Sequence, residues 1–417
     1  MKDMTAEQDC SCGCAASGSL GLKDAMALSA RLAAPVREVE ELALSQASGR
    51  VLARAVCSAF PVPRFDNSAM DGFALSSAAL EGAGPWELPL AGRVAAGASG
   101  APVAFGNAVR IFTGAPLPHG TDTVVMQEHV ALVGDRVQIN QRPAKGAHVR
   151  RWGEEVAQGA EILPIGCRMT PRAIAVAASG GVGRVTVRRR VRVALLNSGD
   201  EVRPAGATLS DAQIPDVNGP MLAALLSRPD TDLVMHRHVP DTLDANLEAL
   251  SQASAAADLV VTTGGVSVGA EDHMRAAAAV LDARIDIPSV AIKPGKPVVV
   301  GQIGAARWLG LPGNPMSAYV TCVLLGLPLL DALCGAPGAQ RLHRVRVLNT
   351  VRHQPGRSEA RPAVLDATGC SVTIGGPVHS GRMTPMVLAD GCVLIPADAE
   401  ALSPGDTVDF LPFNQRV

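Results

Sequence analysis

The residues of this chain whose types and spacing could do chemistry gather in three turns between Asp258 and Ser317. An apolar stretch ends in Gly264-Gly265-Val266-Ser267, followed by Lys293-Pro294-Gly295-Lys296-Pro297 and then by Leu311-Pro312-Gly313-Asn314-Pro315. Glycines let backbone amides come close to an anion, hydroxyls donate to it, and lysines on proline-stiffened turns neutralise it. These three turns predict a pocket for a phosphorylated ligand. A bare Gly-Gly is also what a tight turn after a strand requires, and most lysines are solvated surface groups. Thr262, Thr263 and Ser267 at the same strand end favour the phosphate reading, and the prolines beside Lys293 and Lys296 argue against free mobility.

Carboxylates form a second set. Asn197-Ser198-Gly199-Asp200-Glu201 begins where an apolar strand stops, and Asp66-Asn67-Ser68-Ala69-Met70-Asp71-Gly72 is a polar run in apolar surroundings. Together they could hold a hard cation such as magnesium, which takes oxygen ligands and keeps waters that a phosphate can replace. The structural alternative is that Asp200 caps a helix and Asp66 closes a turn. Thr113-Gly114, inside Arg110-Ile111-Phe112-Thr113-Gly114-Ala115-Pro116, sets a hydroxyl beside a glycine and reads equally as an anion donor or as a strand entering a turn. Arg150-Arg151-Trp152-Gly153-Glu154-Glu155 mixes cations and carboxylates and also fits a salt-bridged loop. Cys10, Cys12 and Cys14 offer soft ligands without a fourth partner, in what reads as a flexible tail. The isolated His119, His129, His273 and His379 define no catalytic triad.

A chain of 417 residues exceeds one hydrophobic core, so about three or four domains are expected. With 47% hydrophobic and 18% charged residues the bulk of it is globular. A formal net charge of −2 supplies no global field for nucleic acid or anionic membrane, so an anionic ligand must be held by a local cationic cluster. The longest apolar run, Tyr319 to Leu330, contains Pro328, falls short of the ~20 residues of a bilayer span and reads as a buried helix. The first residues carry Lys2, Asp3, Glu7 and Asp9 without a signal-peptide core, and six of the nine cysteines are scattered singly. A cytoplasmic protein with reduced thiols is expected.

From Val191 the pattern alternates. A strand over Val191–Leu196 is followed by a helix over Pro220–Leu226 behind the cap candidate Asn218, a strand over Leu233–Val239, a helix through Leu243, Leu247 and Leu250, a strand over Leu259–Thr263 and a helix through Met274, Ala278 and Leu281. This predicts an α/β domain, a doubly wound and mostly parallel sheet over 188–338 whose ligand lies beyond the carboxyl ends of the strands. Residues 65–151 read as a β-rich domain with strands at Thr123–Met126 and Arg136–Ile139. Residues 339–417 read as a small β-barrel or sandwich with strands at Val345–Leu348, Val372–Ile374, Val393–Ile395 and Val408–Leu411. A helix is expected over Leu20–Ala34. Residues 20–64 with 152–187 are assigned to an elongated linking domain, part of 39–54 packing on the α/β domain.

Asp66 to Gly72, Arg110 to Pro116, Asp258 to Gly269, Ile292 to Pro297 and Leu311 to Pro315 occur in the order found in the molybdopterin molybdenumtransferases. The chain resembles that MoeA-like family, related to the carboxy-terminal domain of gephyrin, over roughly residues 20 to 412. The resemblance implies a four-domain homodimer that joins molybdate to adenylylated molybdopterin with magnesium and releases AMP, its site shared between the α/β domain of one subunit and the β-rich domain of the other. It further implies that Gly264, Gly265, Ser267, Lys293, Lys296, Pro312 and Pro315 line the molybdopterin or nucleotide pocket, with Ser380 from the last domain. Asp71, Thr113, Asp200 and Glu201 are implied at the metal and molybdate, with Asp71 and Glu201 as metal ligands. Transient contact with other molybdenum-cofactor enzymes is implied as well, and no nucleic acid or membrane. Three departures from the family pattern stand out: Glu155 for an aspartate, Asn197-Ser198 for Ser/Thr-Thr before Gly-Asp-Glu, and a loosely matched His379 to Thr384 turn. A gephyrin-like scaffold without activity, or an adenylyltransferase sharing the α/β domain, is the alternative.

Overall fold

The protein is described by a computed structural model covering residues 19–265, 273–336, 338, 342–376 and 381–413. These fall into two compact units, residues 41–48 with 52–187, and the remainder.

The first unit contains a six-stranded sheet in the order Thr123–Met126, Gly72–Leu75, Ala108–Ile111, Trp86–Val94, Arg136–Ile139, Val130–Val133. Its strand Gly72–Leu75 is buried on both faces. Phe73 and Leu75 join one core with Leu88, Val137 and Ile139, while Ala74 joins the opposite core with Val94, Val109 and Val124, as a two-residue side-chain period dictates. A separate core gathers Leu52, Val56, Leu163, Met169 and Val187 around a helix over Pro171–Ser179. That helix starts as sequence rules prescribe: the Thr170 hydroxyl accepts from the Ala173 amide, and Pro171 fills the first turn.

The second unit holds the α/β sheet. Its elements are β1 (Val191–Ser198), α1 (Asn218–Leu226), β2 (Thr231–Val239), α2 (Leu243–Ala256), β3 (Leu259–Thr263), α3 (His273–Val280), β4 (Arg284–Ile287), β5 (Ile292–Lys293), β6 (Val299–Ile303), β7 (Ala306–Leu311) and a long helix α4 (Pro315–Cys334). The sheet order is β2-β1-β3-β7-β6-β4. The first four strands are parallel, and β6 runs antiparallel to both neighbours. Helices cover both faces. Val191, Val193 and Leu195 pack toward α1 and α4, whereas Ala194 and Leu196 pack toward α2 and α3.

The last elements, β8 (His343–Val347), β9 (Ser358–Leu365), β10 (Ser371–Ile374), β11 (Gly391–Ile395) and β12 (Thr407–Pro412), close on themselves as a five-stranded barrel. The order is β9-β10-β8-β12-β11, and β11 pairs back onto β9. Strand β5 leaves the α/β fold to pair in parallel with β9. The expected α/β, β-rich and C-terminal barrel architecture is therefore present.

Four local expectations change. The helix expected over Leu20–Ala34 is confined to Leu22–Ser29, because the chain tightens through Arg31 N to Leu28 O and Leu32 N to Ser29 O as it approaches Pro35. Asn218 does not cap α1 but is its first residue; Asp216 Oδ1 accepts from Gly219 N at 2.8 Å instead. The apolar run around Tyr319 belongs to a helix of 20 residues, long and apolar enough to cross a membrane by composition, yet 78% of that window is buried in the core. It holds a π-helical segment at Cys322–Gly326, directly before Leu327 and Pro328. The widened turn accommodates the missing amide and ring of Pro328 without ending the helix. Finally, β6, β7 and β9 were not expected as strands, and β9 is the longest of the barrel.

Candidate active site

The parallel strands end together, and a cavity of about 690 Å³ opens at their carboxyl edge. Its wall is supplied by the turn after β1 (Ser198, Gly199, Glu201), the turn after β3 (Gly264, Gly265), the turn after β7 (Pro312, Gly313) and the start of α1 (Asn218).

Each turn has a local cause. Gly264 and Gly265 adopt φ of +88° and +63°, a left-handed region that side chains rarely occupy. A Cβ on Gly264 would stand 2.8 Å from the Ser198 carbonyl oxygen, so the two strand ends meet only because the side chain is absent. Asn218 stitches the edge together, its Nδ2 donating to Thr263 Oγ1 at 2.9 Å and to the Gly313 carbonyl at 2.7 Å. Asn197 is buried, and its Nδ2 donates to Asp216 Oδ2 at 2.6 Å. These acceptors fix both amides with nitrogen toward the protein. The buried Oδ1 atoms of Asn197 and Asn218 have no hydrogen-bond partner among the described residues.

Thr262 and Thr263 do not offer their hydroxyls as the sequence suggested. Both are buried; Thr262 Oγ1 accepts from Trp308 Nε1 at 3.1 Å, and Thr263 Oγ1 donates to the Pro312 carbonyl at 3.1 Å. Their role is to hold the turns.

The acidic residues separate by function. Glu201 is exposed on the cavity wall. Asp200 is exposed beside it in sequence and caps no helix; it exchanges hydrogen bonds with Asp241, Asp241 N donating to Asp200 Oδ1 at 3.1 Å and Asp200 N to Asp241 Oδ2 at 3.2 Å. Asp241 itself lines the cavity and was missed in the sequence. Its signal was position, two residues beyond the carboxyl end of β2.

The structure thus brings Glu201, Gly264, Gly265, Pro312 and Pro315 onto one wall. Lys293 and Lys296 are exposed on the β5 turn and are not on that wall, although Pro297 is. Gly381 of the barrel reaches the cavity, while Ser267 and Ser380 lie outside the described residues, as do Cys10, Cys12 and Cys14.

Asp71 and Thr113 meet in the other unit. Asp71 Oδ1 accepts from both the Thr113 amide and its hydroxyl, each at 2.7 Å. The Thr113 amide, then its hydroxyl, hold the Asp71 carboxyl below its ordinary pKa, so this exposed group stays ionised. Gly72 follows where a Cβ would collide with the Val125 carbonyl oxygen, which fixes Asp71 at the strand's entrance. Asp66 behaves as the turn-closing reading expected: its oxygens accept from Trp152 N and Arg151 Nη1, both at 2.7 Å. Glu155 N donates to Val62 O. Among the described residues no cluster of three or more histidine, cysteine or carboxylate side chains forms a metal cage. The exposed carboxylates of Glu201 in one unit and Asp71 in the other are each an oxygen donor of the kind a hard cation takes.

Family models for the MoeA N-terminal region (domain I and II), a probable molybdopterin binding domain and the MoeA C-terminal region (domain IV) match residues 20–181, 194–332 and 336–413. A molybdopterin molybdenumtransferase 2 of Mycobacterium tuberculosis is 34% identical over 87% of this chain and 92% of its own length. The chain belongs to the molybdopterin molybdenumtransferase family. A family relative from Haemophilus influenzae is 33% identical over 90% of this chain and 94% of its own. A crystal structure of a molybdopterin biosynthesis moea protein from Pyrococcus horikosii superposes with a TM-score of 0.77 at 28% identity, covering 95% of this chain and 99% of that one. Membership places the chain among the transferases of molybdenum cofactor biosynthesis.

Proposed function

We propose that this protein inserts molybdenum from molybdate into adenylylated molybdopterin and releases AMP. The observation that carries the reading is the cavity itself, in which a side-chain-free Gly264-Gly265 turn, the Pro312 turn and the Glu201 carboxylate share one wall at the carboxyl edge of a parallel sheet. The amide oxygens of Asn197 and Asn218, two residues that line the cavity, have no hydrogen-bond partner among the described residues.

In this reading a molybdate oxygen attacks the AMP phosphorus as the bond from that phosphorus to the molybdopterin phosphate oxygen breaks. That attack leaves an AMP–molybdate anhydride beside the freed molybdopterin phosphate; the two pterin thiolates then displace AMP, with its bridging oxygen, from molybdenum, and the charged pterin results. Such a displacement asks the protein for position and for charge around the reacting oxygens rather than for a covalent partner. The backbone at Gly264 and Gly265 holds the phosphate, and Lys293 and Lys296 add positive charge. Glu201 would hold magnesium, directly or through its waters, and the family resemblance would bring the second carboxylate, Asp71 kept ionised by Thr113, from the β-rich domain of the other subunit. Magnesium would neutralise the developing charge on the phosphate oxygens. Asp200 and Asp241 fix the turn that presents Glu201. A homodimer in the cytoplasm belongs to the same reading.

The test is AMP release from adenylylated molybdopterin with magnesium, in the presence and absence of molybdate. Molybdate-dependent release with active cofactor formed is expected. Tight binding without turnover would make the chain a gephyrin-like scaffold, and nucleotide chemistry without molybdate would make it an adenylyltransferase. The intact Asp71, Asp200 and Glu201 favour the transferase over the scaffold.

A further inference from the structure

The C-terminal barrel buries a charged cluster that packing alone does not require. Glu359 and Arg361 on β9 are 4% and 5% exposed. Arg361 Nη2 donates to Glu359 Oε2 and to the Arg352 carbonyl, both at 2.9 Å, while its Nε sits 2.9 Å from Oε1, too oblique for a hydrogen bond. His353 is buried beside them, with Nε2 3.7 Å from Oε2 and Nδ1 2.7 Å from the Ala399 carbonyl. Apolar residues of similar volume would avoid the desolvation such a pair costs, so its retention asks for another role.

A fourth member suggests it. Strand β5 sets Lys293 in register with Glu359, and Lys293 Nζ lies 3.8 Å from Glu359 Oε1 with the lysine side chain half exposed. A lone carboxylate there would use up the lysine's charge. Arg361 has already matched it, so Lys293, Glu359 and Arg361 together carry one net positive charge, and only the lysine meets water. The residue choice points the same way. Of the 37 lysines and arginines five are lysine, and Lys293 and Lys296 account for two of them within one turn. Nearly every ion pair among the described residues uses arginine. A compact ammonium on a flexible stem can follow an anion where a fixed guanidinium fork cannot.

We propose that Glu359 and Arg361 are positioning residues, a charge-balanced mount in the barrel that holds Lys293 in place and leaves its charge free for the phosphate of the bound pterin. This rests on the reading of Lys293 as a ligand-facing residue. Removing Arg361 leaves Glu359 to claim the lysine, while neutralising both restores the balance.

The experiment measures the Kd of anaerobically purified molybdopterin and the kcat of AMP release. Arg361→Gln raises Kd about fivefold with kcat changed less than twofold. Glu359→Gln/Arg361→Gln returns Kd to within about twofold of the parent, and Arg361→Gln adds nothing in a Lys293→Ala background. An equal loss from Arg361→Gln with Lys293 already removed overturns the proposal. If Arg361→Gln does not fold, the neutral pair alone decides: parental affinity supports the mount and a tenfold loss overturns it. Parental affinity in Lys293→Ala sinks the assignment of Lys293 itself, a distinct failure.

Discussion

Asp258 stands at the amino end of β3, away from the cavity, and fastens β3 to β1. Its oxygens accept from Arg189 Nη1 at 2.6 Å, Arg189 Nη2 at 2.9 Å, Arg192 N at 2.8 Å and Arg192 Nη2 at 3.1 Å. Burial pushes its pKa up, but the hydrogen bonds from Arg189 and Arg192 outweigh this and bring it from 3.8 to about 2. At 1.36 kcal/mol per unit that is ~2.4 kcal/mol, and partial hydration reduces it to about 1–1.5 kcal/mol. The folded pKa is depressed, so the stabilisation is complete above the unfolded value near 4 and is lost as pH falls from there toward 2. Asp258→Asn should therefore lower the stability of the α/β unit by about 1–1.5 kcal/mol at pH 7, and by roughly half as much at pH 3. The assay is urea unfolding followed by Trp308 fluorescence, with Trp86 and Trp152 replaced by phenylalanine so that only the buried α/β indole reports. Molybdopterin affinity should stay at its parental value, since the cavity lies at the other end of the strands. A penalty independent of pH, or a loss of affinity without loss of stability, would refute the reasoning.

Gly264→Ala places a Cβ against the Ser198 carbonyl at a left-handed position, costing about 1–2 kcal/mol in conformation alone; molybdopterin Kd should rise about tenfold, and unchanged titration curves would remove this turn from the site. Asp71→Ala and Glu201→Ala should each keep molybdopterin binding and lose about 100-fold in AMP release, so unchanged release in both would end their assignment to the metal. Burial pushes the Cys322 and Cys392 thiols up to about 12. A thiol reagent at pH 8 should modify neither in the native protein and both in urea, as read by mass spectrometry of the digested chain.

Strands β1 and β3 of the α/β sheet were legible because strands buried on both faces become continuous apolar runs, as in Val193 to Leu196 and Leu259 to Val261. Strand β9 was hidden by its content: Glu359, Arg361 and Pro362 resemble a surface turn until Arg361 and Glu359 are seen to neutralise one another indoors. The glycine and proline turns of the cavity could be read from residue type. Asp241 and Asn218 could not, because nothing in their neighbours marks them; only the strand order brings Asp241 to Asp200 and Asn218 to the turns after β3 and β7. The opposite error befell Thr262 and Thr263, whose placement was right and whose hydroxyls are already spoken for by Trp308 and Pro312.

The two-residue strand β5 belongs by sequence to the α/β fold and by hydrogen bonding to the barrel. The two modules therefore cannot be swapped like beads on a string. A chain cut between α4 and β8 would strip the Lys293 strand of its only ladder among the described residues, and a barrel grafted from a relative would bring that relative's own residue opposite the lysine. Recombination between family members is expected to succeed when β5 and β9 travel together.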